Sequence, residues 1–195
     1  MRSIYIWAIL LGLGFIVFVS ACSYNNSFVA LDESVNNAWS KVQSAYQQRA
    51  DLIPNLVATV KGAAEFEKET LEAVVSARAR ATSINIDPSN ATPEQLQQFQ
   101  EAQNGLSQSL GRLLLVAEQY PDLKASASFQ QLQAQLEGQE NRIRVERNRY
   151  NDAVTEYNTS IRRFPASFFA SIFGFDRAVQ FESQQGAENA PTVEF

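Results

Sequence analysis

The chain has 195 residues, of which 16 are Lys or Arg and 21 are Asp or Glu, so its formal charge at pH 7 is −5. The acidic balance argues against a nucleic-acid-binding surface, which requires a dense basic face, and the length fits one domain with an appendage. The absence of His excludes imidazole catalysis and most catalytic zinc sites, and the single Cys excludes an internal disulfide. With 8 Gly and 6 Pro the chain has few turns, so a many-stranded β fold is not expected.

Residues 1–22 have the pattern of a membrane-targeting segment: Arg2, the apolar run 4–19, then small residues that lead to Cys22. The end of this segment resembles a bacterial lipobox, which predicts cleavage before Cys22 and acylation of its thiol. The alternative is an uncleaved transmembrane anchor. The run spans only about 24 Å as a helix, against a hydrocarbon core of about 30 Å, but it reaches a marginal span through Cys22. Both alternatives place the remaining chain outside the cytoplasm, because positive charge stays inside.

A long helix is predicted over residues 28–82, after a polar linker at 23–27. Its apolar positions alternate steps of three and four, the spacing of a stripe that packs along a partner helix. Pro54 lies inside this stripe and predicts a kink, because it removes one backbone hydrogen bond. The stripe resumes in phase after Pro54, which favours one bent helix. The alternative is two helices that meet near Asp51, a residue type common at N-caps.

Two further amphipathic helices are predicted at about 93–120 and 126–164. Thr92 is the expected N-cap of the first, with Pro93 as its first helical residue. Short connections force antiparallel neighbours, so we predict an all-α fold. The expected architecture is an elongated antiparallel up-down bundle of three to four long helices with one continuous core and an N-terminal membrane anchor.

The C-terminal part departs from this pattern. Residues 165–175 are rich in Phe, so this segment either caps the open end of the bundle or contacts the membrane surface or a partner as an interfacial helix. Residues 176–195 lose the helical period and predict a loosely ordered tail.

The candidate functional side chains are polar residues on the predicted helices. Arg49, Asp51, Asn55 and Lys61 lie near Pro54. We expect them to hold the bend, since a kink frees a carbonyl that an Arg or Asn side chain can satisfy. A polar pocket at the bend is the functional alternative.

A second polar set lies on the last predicted helix and includes Arg142, Asn151 and Asn158. Some of these residues are expected to face Arg78 or Glu67 across the bundle and to fix helix register. The Tyr-Asn pair at 150–151 recurs seven residues later, which places both Tyr on one stripe with both Asn beside it. No phosphate-binding Gly loop or metal-ligand cluster is recognisable, so no cofactor, metal or small-molecule substrate is predicted.

Several motifs resemble those of the LemA family of bacterial membrane-attached proteins. The most specific is RADLIPNLV at 49–57, followed by Val60-Lys61-Gly62. Further similarities lie at 120–125, 140–143, the two Tyr-Asn pairs, Phe164-Pro165 and 191–195. Residues 63–67 depart from the family pattern, which often has Tyr and His there. The resemblance implies an antiparallel helical bundle on an N-terminal anchor, and it implies no established activity and no catalytic residues.

The leading hypothesis is a non-enzymatic, membrane-anchored scaffold of the cell envelope that binds an unidentified envelope protein. The alternative is an envelope sensor or adaptor that works with a membrane protease or signalling protein, with the Pro54 bend as its movable element. A remote alternative is an enzyme that uses carboxylates or Lys61.

Overall fold

The computed structural model describes residues 2–62, 67–88 and 90–182. Within these ranges every regular element is a helix, and no described residue lies in a strand. The helices are α1 (Arg2–Lys61), α2 (Lys68–Ser83), α3 (Pro93–Ala117), α4 (Pro121–Ala125), α5 (Ala127–Arg162) and α6 (Ala166–Phe173). The predicted all-α class is therefore confirmed. The tail residues 183–195, with the motif at 191–195, lie outside the described residues.

Helix α1 differs from the sequence prediction at both ends. The expected linker at residues 23–27 is helical, because it contains no Gly or Pro and its Ser and Asn residues lower helix propensity only slightly. The expected bent helix over 28–82 is divided, since α1 ends at Lys61 and α2 begins at Lys68. Gly62 follows α1, and Gly is a common residue just after a helix end. The apolar positions after the break belong to α2, which buries a stripe of its own: Thr70, Leu71, Val74, Ala77 and Ala81.

Helix α2 folds back along α1 in the antiparallel direction. The Arg78 guanidinium reaches the Ala50 carbonyl, and Gln43 of α1 donates to Asn85, two residues after the end of α2. Helix α3 then packs against α2, and α5 packs along much of α1.

Two helices begin at the caps that their sequences provide. The Thr92 side chain accepts from the Gln95 N–H, while the Gln95 side chain accepts from the Thr92 N–H, so a capping box starts α3 with Pro93 as its first residue. The Ser126 side chain caps α5 by accepting from the Phe129 N–H. These caps fix the starts of the helices that carry the site described below.

The core consists of two apolar clusters rather than the expected continuous one. One lies near the start of the packed region and joins Phe28 and Trp39 of α1 to Tyr150 and Ile161 of α5. The other lies at the opposite end of the helices and is built from apolar residues of α1 to α5. The clusters are separated along α1 and α3 by the buried polar side chains of Arg49 and Gln103.

The first part of α1 extends beyond the packed helices. Its large apolar side chains from Tyr5 to Val19 are between 49% and 72% exposed. Among the described residues, α1 is the helix that is long and apolar enough to cross a membrane, judged by length and composition alone.

Candidate functional site

The carbonyl that Pro54 leaves free is satisfied by a neighbouring helix. Pro54 has no N–H to donate to the Ala50 carbonyl four residues earlier. Arg78 of α2 supplies the missing donor, because its Nε lies 2.8 Å from the Ala50 oxygen. An Arg satisfies the freed carbonyl, as expected, but this Arg is Arg78 rather than Arg49. This bond ties the Pro54 position to α2.

Arg49 instead forms the centre of a buried polar layer between the two apolar clusters. Its side chain is 1% exposed. It donates to Ser107 Oγ at 2.7 Å, to Glu140 Oε1 at 2.5 Å and to Gln103 Oε1 at 2.6 Å. Its guanidinium also lies 5.2 Å from the centre of the Tyr46 ring. The layer therefore joins α1 to α3 and α5 through one buried cation.

The layer extends to α2 through Gln103, whose Nε2 donates to the Ala81 carbonyl at 3.0 Å. An unpaired buried charge is costly, and Arg49 is buried, whereas its partner Glu140 is 46% exposed. Arg49 Nε has no hydrogen-bond partner among the described residues, so its pairing is carried by its two terminal nitrogens. The arrangement holds four helices in one register, and its charged groups are engaged with each other.

The other residues predicted near the bend lie apart from this layer. Asp51, Pro54, Asn55 and Lys61 are exposed. Asp51 accepts a hydrogen bond from Gln47 at 2.7 Å on the same helix. None of these four residues is among those that line the cleft described below.

Arg142 is exposed and crosses from α5 to α1, where it donates to Gln48 Oε1 at 2.9 Å. Glu140, also on α5, pairs with Arg49. Cys22 is a free, exposed thiol on α1 at the end of the apolar stretch.

The C-terminal segment, residues 176–182, lies along α5 and is held through its backbone by two Asn side chains. Asn151 Nδ2 donates to the Phe181 carbonyl at 3.0 Å, and its Oδ1 accepts from the Phe181 N–H at 2.9 Å. Asn158 makes the same pair of bonds with Ala178, at 2.9 and 3.0 Å. Each amide therefore satisfies both backbone groups of one residue.

The Tyr residues that precede these Asn residues add two further bonds. Tyr150 donates to the Val179 carbonyl at 2.9 Å, and Tyr157 donates to the Asp176 carbonyl at 2.8 Å. We call the four side chains the clamp: Tyr150, Asn151, Tyr157 and Asn158.

The spacing of the clamp matches the spacing of the segment that it holds. A step of seven residues forward in α5, from Tyr150 to Tyr157 or from Asn151 to Asn158, moves the bonded residue of the segment back by three. Seven helical residues span about 10.5 Å, and three residues of extended chain span about 10 Å. The seven-residue spacing of the Tyr-Asn pairs therefore fits a nearly extended segment that runs antiparallel to α5. The expected loose tail is well anchored over 176–182.

Phe181 completes the segment's attachment by entering an aromatic pocket. Its ring centre lies 5.7 Å from that of Trp39 and 5.4 Å from that of Tyr150, and Phe99 lies beside it. The Arg147 guanidinium lies 4.6 Å from the Phe181 ring centre. Aromatic pairs at such distances add to the stability gained by burying their area. The pocket closes the first apolar cluster.

The clamp tyrosines remain protonated donors at neutral pH. Burial raises the pKa of Tyr150 to about 12. The pKa of Tyr157 is also raised to about 12, chiefly by burial and further by the carboxylates of Asp32 and Asp176. Loss of either proton would remove a hydrogen bond to a backbone carbonyl.

A cleft of about 530 Å³ opens between α1, α2 and α3. Of the described residues that line it, Tyr46 alone is ionisable, and burial raises the pKa of its phenol. Its lining offers amide and hydroxyl groups, among them Gln43, Ser44, Gln47, Thr82 and Asn85. Among the described residues, no group of three or more metal-ligating side chains is placed to hold an ion. The cleft can therefore form hydrogen bonds with a partner.

The sequence profile of the LemA family matches residues 38–195. The chain belongs to the LemA family. The family resemblance seen in the motifs is thereby confirmed, and the match covers the polar layer, the clamp and the C-terminal segment.

Curated relatives include both LemA and magnetosome proteins. The chain is 27% identical over 180 residues to magnetosome protein MamQ 2 of Paramagnetospirillum magneticum, which covers 84% of this chain and 66% of that protein. It is 27% identical over 154 residues to protein LemA of Metamycoplasma hominis, with 79% and 65% covered. The chain thus spans about two thirds of the length of these relatives. Their names state no reaction.

Proposed function

We propose that this LemA-family protein is a membrane-anchored helical scaffold that binds another protein of the cell envelope and catalyses no reaction. The observation that carries the proposal is the continuity of α1. One helix begins in an exposed apolar stretch and continues into the first core cluster. A continuous helix of this kind would hold the packed region at a fixed distance from the membrane.

The exposed apolar stretch supports the membrane anchor. A contiguous apolar surface of this size is rare on a soluble monomer, because its exposure to water is costly. Arg2 is the sole charged residue before Asp32, so the charge distribution supports an inner N-terminus and an outer packed region. Cys22 lies at the far end of the apolar stretch, where either an acylated thiol or an uncleaved helix would hold the protein; in both forms α1 continues unbroken from Cys22 into the packed region.

The two forms of anchor make different predictions for Cys22. Radiolabelled palmitate should enter the wild-type protein and be lost in Cys22→Ser if the thiol is acylated. Label that is absent from both chains would leave the uncleaved helix as the anchor. An impermeant maleimide should modify Leu115→Cys, in a Cys22→Ser background, in intact cells if the packed region lies outside; protection until the cells are lysed would refute that orientation.

The cleft between α1, α2 and α3 supports the proposal that the scaffold binds a protein. Gln47 is exposed in this cleft, whereas Leu115 is exposed on α3 away from its lining. A photo-crosslinking residue at Gln47 in intact cells should give a discrete adduct with an envelope protein. The same residue at Leu115 should not. An identical adduct pattern at both positions, or none at either, would contradict binding at the cleft.

The adaptor hypothesis requires the Pro54 position to move. The bond from Arg78 to the Ala50 carbonyl would have to break in such a motion. Pro54→Ala should therefore leave the Gln47 adduct unchanged under the scaffold proposal. A different adduct or a changed envelope response in this variant would favour the adaptor.

A further inference from the structure

Helix α6 is packed on one face and exposed on the other. Ala166 and Ala170 are buried against the first apolar cluster, and the Phe169 ring stacks on Tyr24 of α1 with 5.1 Å between ring centres. This inner face accounts for the helix as a cap of the bundle.

The outer face carries side chains that packing does not explain. We call it the α6 apolar face; it consists of Phe168, Ile172 and Phe173 on the helix, which are 61%, 61% and 40% exposed, together with Phe164, two residues before the helix, which is 90% exposed. The chain has no charged residue from 164 to 175, so this face has no polar side to offset its exposure beyond two Ser residues. Large clustered apolar groups of this kind mark an interaction surface.

The contact with Tyr24 sets the depth of α6 relative to the anchor. Residues 2–22 of α1 span about 31 Å, close to the thickness of a hydrocarbon core, and Tyr24 lies about 3 Å further along the helix. Headgroup regions are about 5 to 8 Å thick on each side of that core. Helix α6 therefore lies at the level of the headgroups.

The charges beside α6 suit the same location. Arg162 and Arg163 precede it, and Asp176 and Arg177 follow it, all four exposed, so three Arg against one Asp leave a net charge of +2 over residues 162–177. This local basic cluster contrasts with the chain's overall charge of −5. Arg side chains at such a level place apolar stems along the acyl boundary and charged heads among phosphates.

We propose that the α6 apolar face lies in the headgroup and acyl boundary of the bilayer that α1 enters. The proposal rests on the membrane anchor proposed above and adds a second contact. A single helix leaves the packed region free to rotate and tilt about its axis. Insertion of α6 would hold the C-terminal end of α5 at the membrane surface and so limit the rotation and tilt of the packed region.

The test uses the full-length protein with Cys22→Ser in vesicles of phosphatidylcholine with a minor fraction of phosphatidylglycerol, some with brominated acyl chains. Single cysteines are introduced as Leu11→Cys in the anchor, Ile172→Cys on the α6 apolar face and Leu115→Cys on α3. All three positions are more than half exposed, so a polarity-sensitive fluorophore can be attached without repacking the core.

The proposal expects blue-shifted emission and bromine quenching at positions 11 and 172, with quenching at 172 several-fold stronger than at 115. Quenching at 11 with position 172 behaving like 115 would overturn the α6 contact and leave the anchor intact. Absence of quenching at 11 would overturn the anchor and, with it, the α6 contact. A fluorophore at 172 that stays unquenched in vesicles while position 172 crosslinks to a protein in cells would assign this face to a protein partner and refute the proposal.

Discussion

Replacing Asn151 with Ala should release the C-terminal segment from α5 while the helices remain folded. The substitution removes a donor to the Phe181 carbonyl and an acceptor for the Phe181 N–H. Ala cannot replace either bond, but it has the highest helix propensity, so α5 itself is not weakened. The perturbation is therefore confined to the attachment of residues 176–182.

The magnitude follows from the two bonds. Each contributes about 0.5 to 1.5 kcal/mol net, so their loss costs about 2 kcal/mol. Because about 1.4 kcal/mol corresponds to a factor of ten, opening of the segment should become about 30-fold more frequent. Phe181 keeps its aromatic pocket, so the variant retains part of the attachment.

Hydrogen exchange measured by mass spectrometry on the full-length protein reports this opening directly. Peptides that cover 176–182 should exchange about 30-fold faster in Asn151→Ala than in the parent chain. Asn148→Ala is the matched control, since Asn148 is an exposed residue of the same type on the same helix. Equal exchange rates in the two variants would refute the clamp as the means of attachment.

Three further perturbations test the polar layer, the Pro54 position and the clamp tyrosines. Arg49→Ala should lower the free energy of unfolding by about 2 to 3 kcal/mol, because it empties a buried site and leaves the buried Gln103 Oε1 without its donor, whereas the exposed Arg142→Ala should change it by less than about 0.5 kcal/mol in denaturant titrations; similar losses would contradict the buried layer. Arg78→Met should lower the free energy of unfolding by about 1 to 3 kcal/mol. The loss should be clearly smaller in a Pro54→Ala background, because this substitution restores the missing N–H. A double-mutant cycle without coupling would contradict the role of Arg78 as the donor to the Ala50 carbonyl. The clamp tyrosines have a folded pKa of about 12, above their ordinary value of about 10, so the stability they confer is present below pH 10 and is lost as the pH rises from about 10 to 12. Replacing both with Phe should remove this dependence, and an unchanged profile would place its origin elsewhere.

Much of the helical framework is predictable from local sequence. The stripe after Thr92 and Pro93 gives both the type and the start of α3, because period and capping act within a few residues. The break between Lys61 and Lys68 is harder to predict. Both helices use the same period, so a phase that persists through 63–66 carries no information about continuity.

The polar layer can be recognised in part from the sequence, although periodicity alone does not identify it. Arg49 and Gln103 both occupy positions on the apolar stripes of their helices, and the structure buries both. A polar residue on each of two stripes predicts a buried layer once the helices are known to pack together. Its partners Ser107 and Glu140 lie off the stripes and cannot be selected without the register of α3 against α5.

The clamp shows a different limit. The Tyr-Asn repeat can be read from the sequence, but the segment that it binds lies about 20 to 30 residues further along the chain and has no periodicity of its own. Backbone groups supply most of its bonds, so the segment's side chains do not reveal the attachment, with Phe181 as the exception. Only the match between helical and extended rise identifies which residues pair.

The central claim is that one unbroken helix carries the membrane anchor into the packed region. Spin labels at Leu11→Cys and Lys41→Cys, in a Cys22→Ser background and in lipid nanodiscs, test it across the 23–27 stretch. Both positions are exposed, and about 30 residues of helix should separate them by about 45 Å. A single narrow distance distribution near that value is predicted. A broad distribution centred well below it would show a flexible linker and contradict the account.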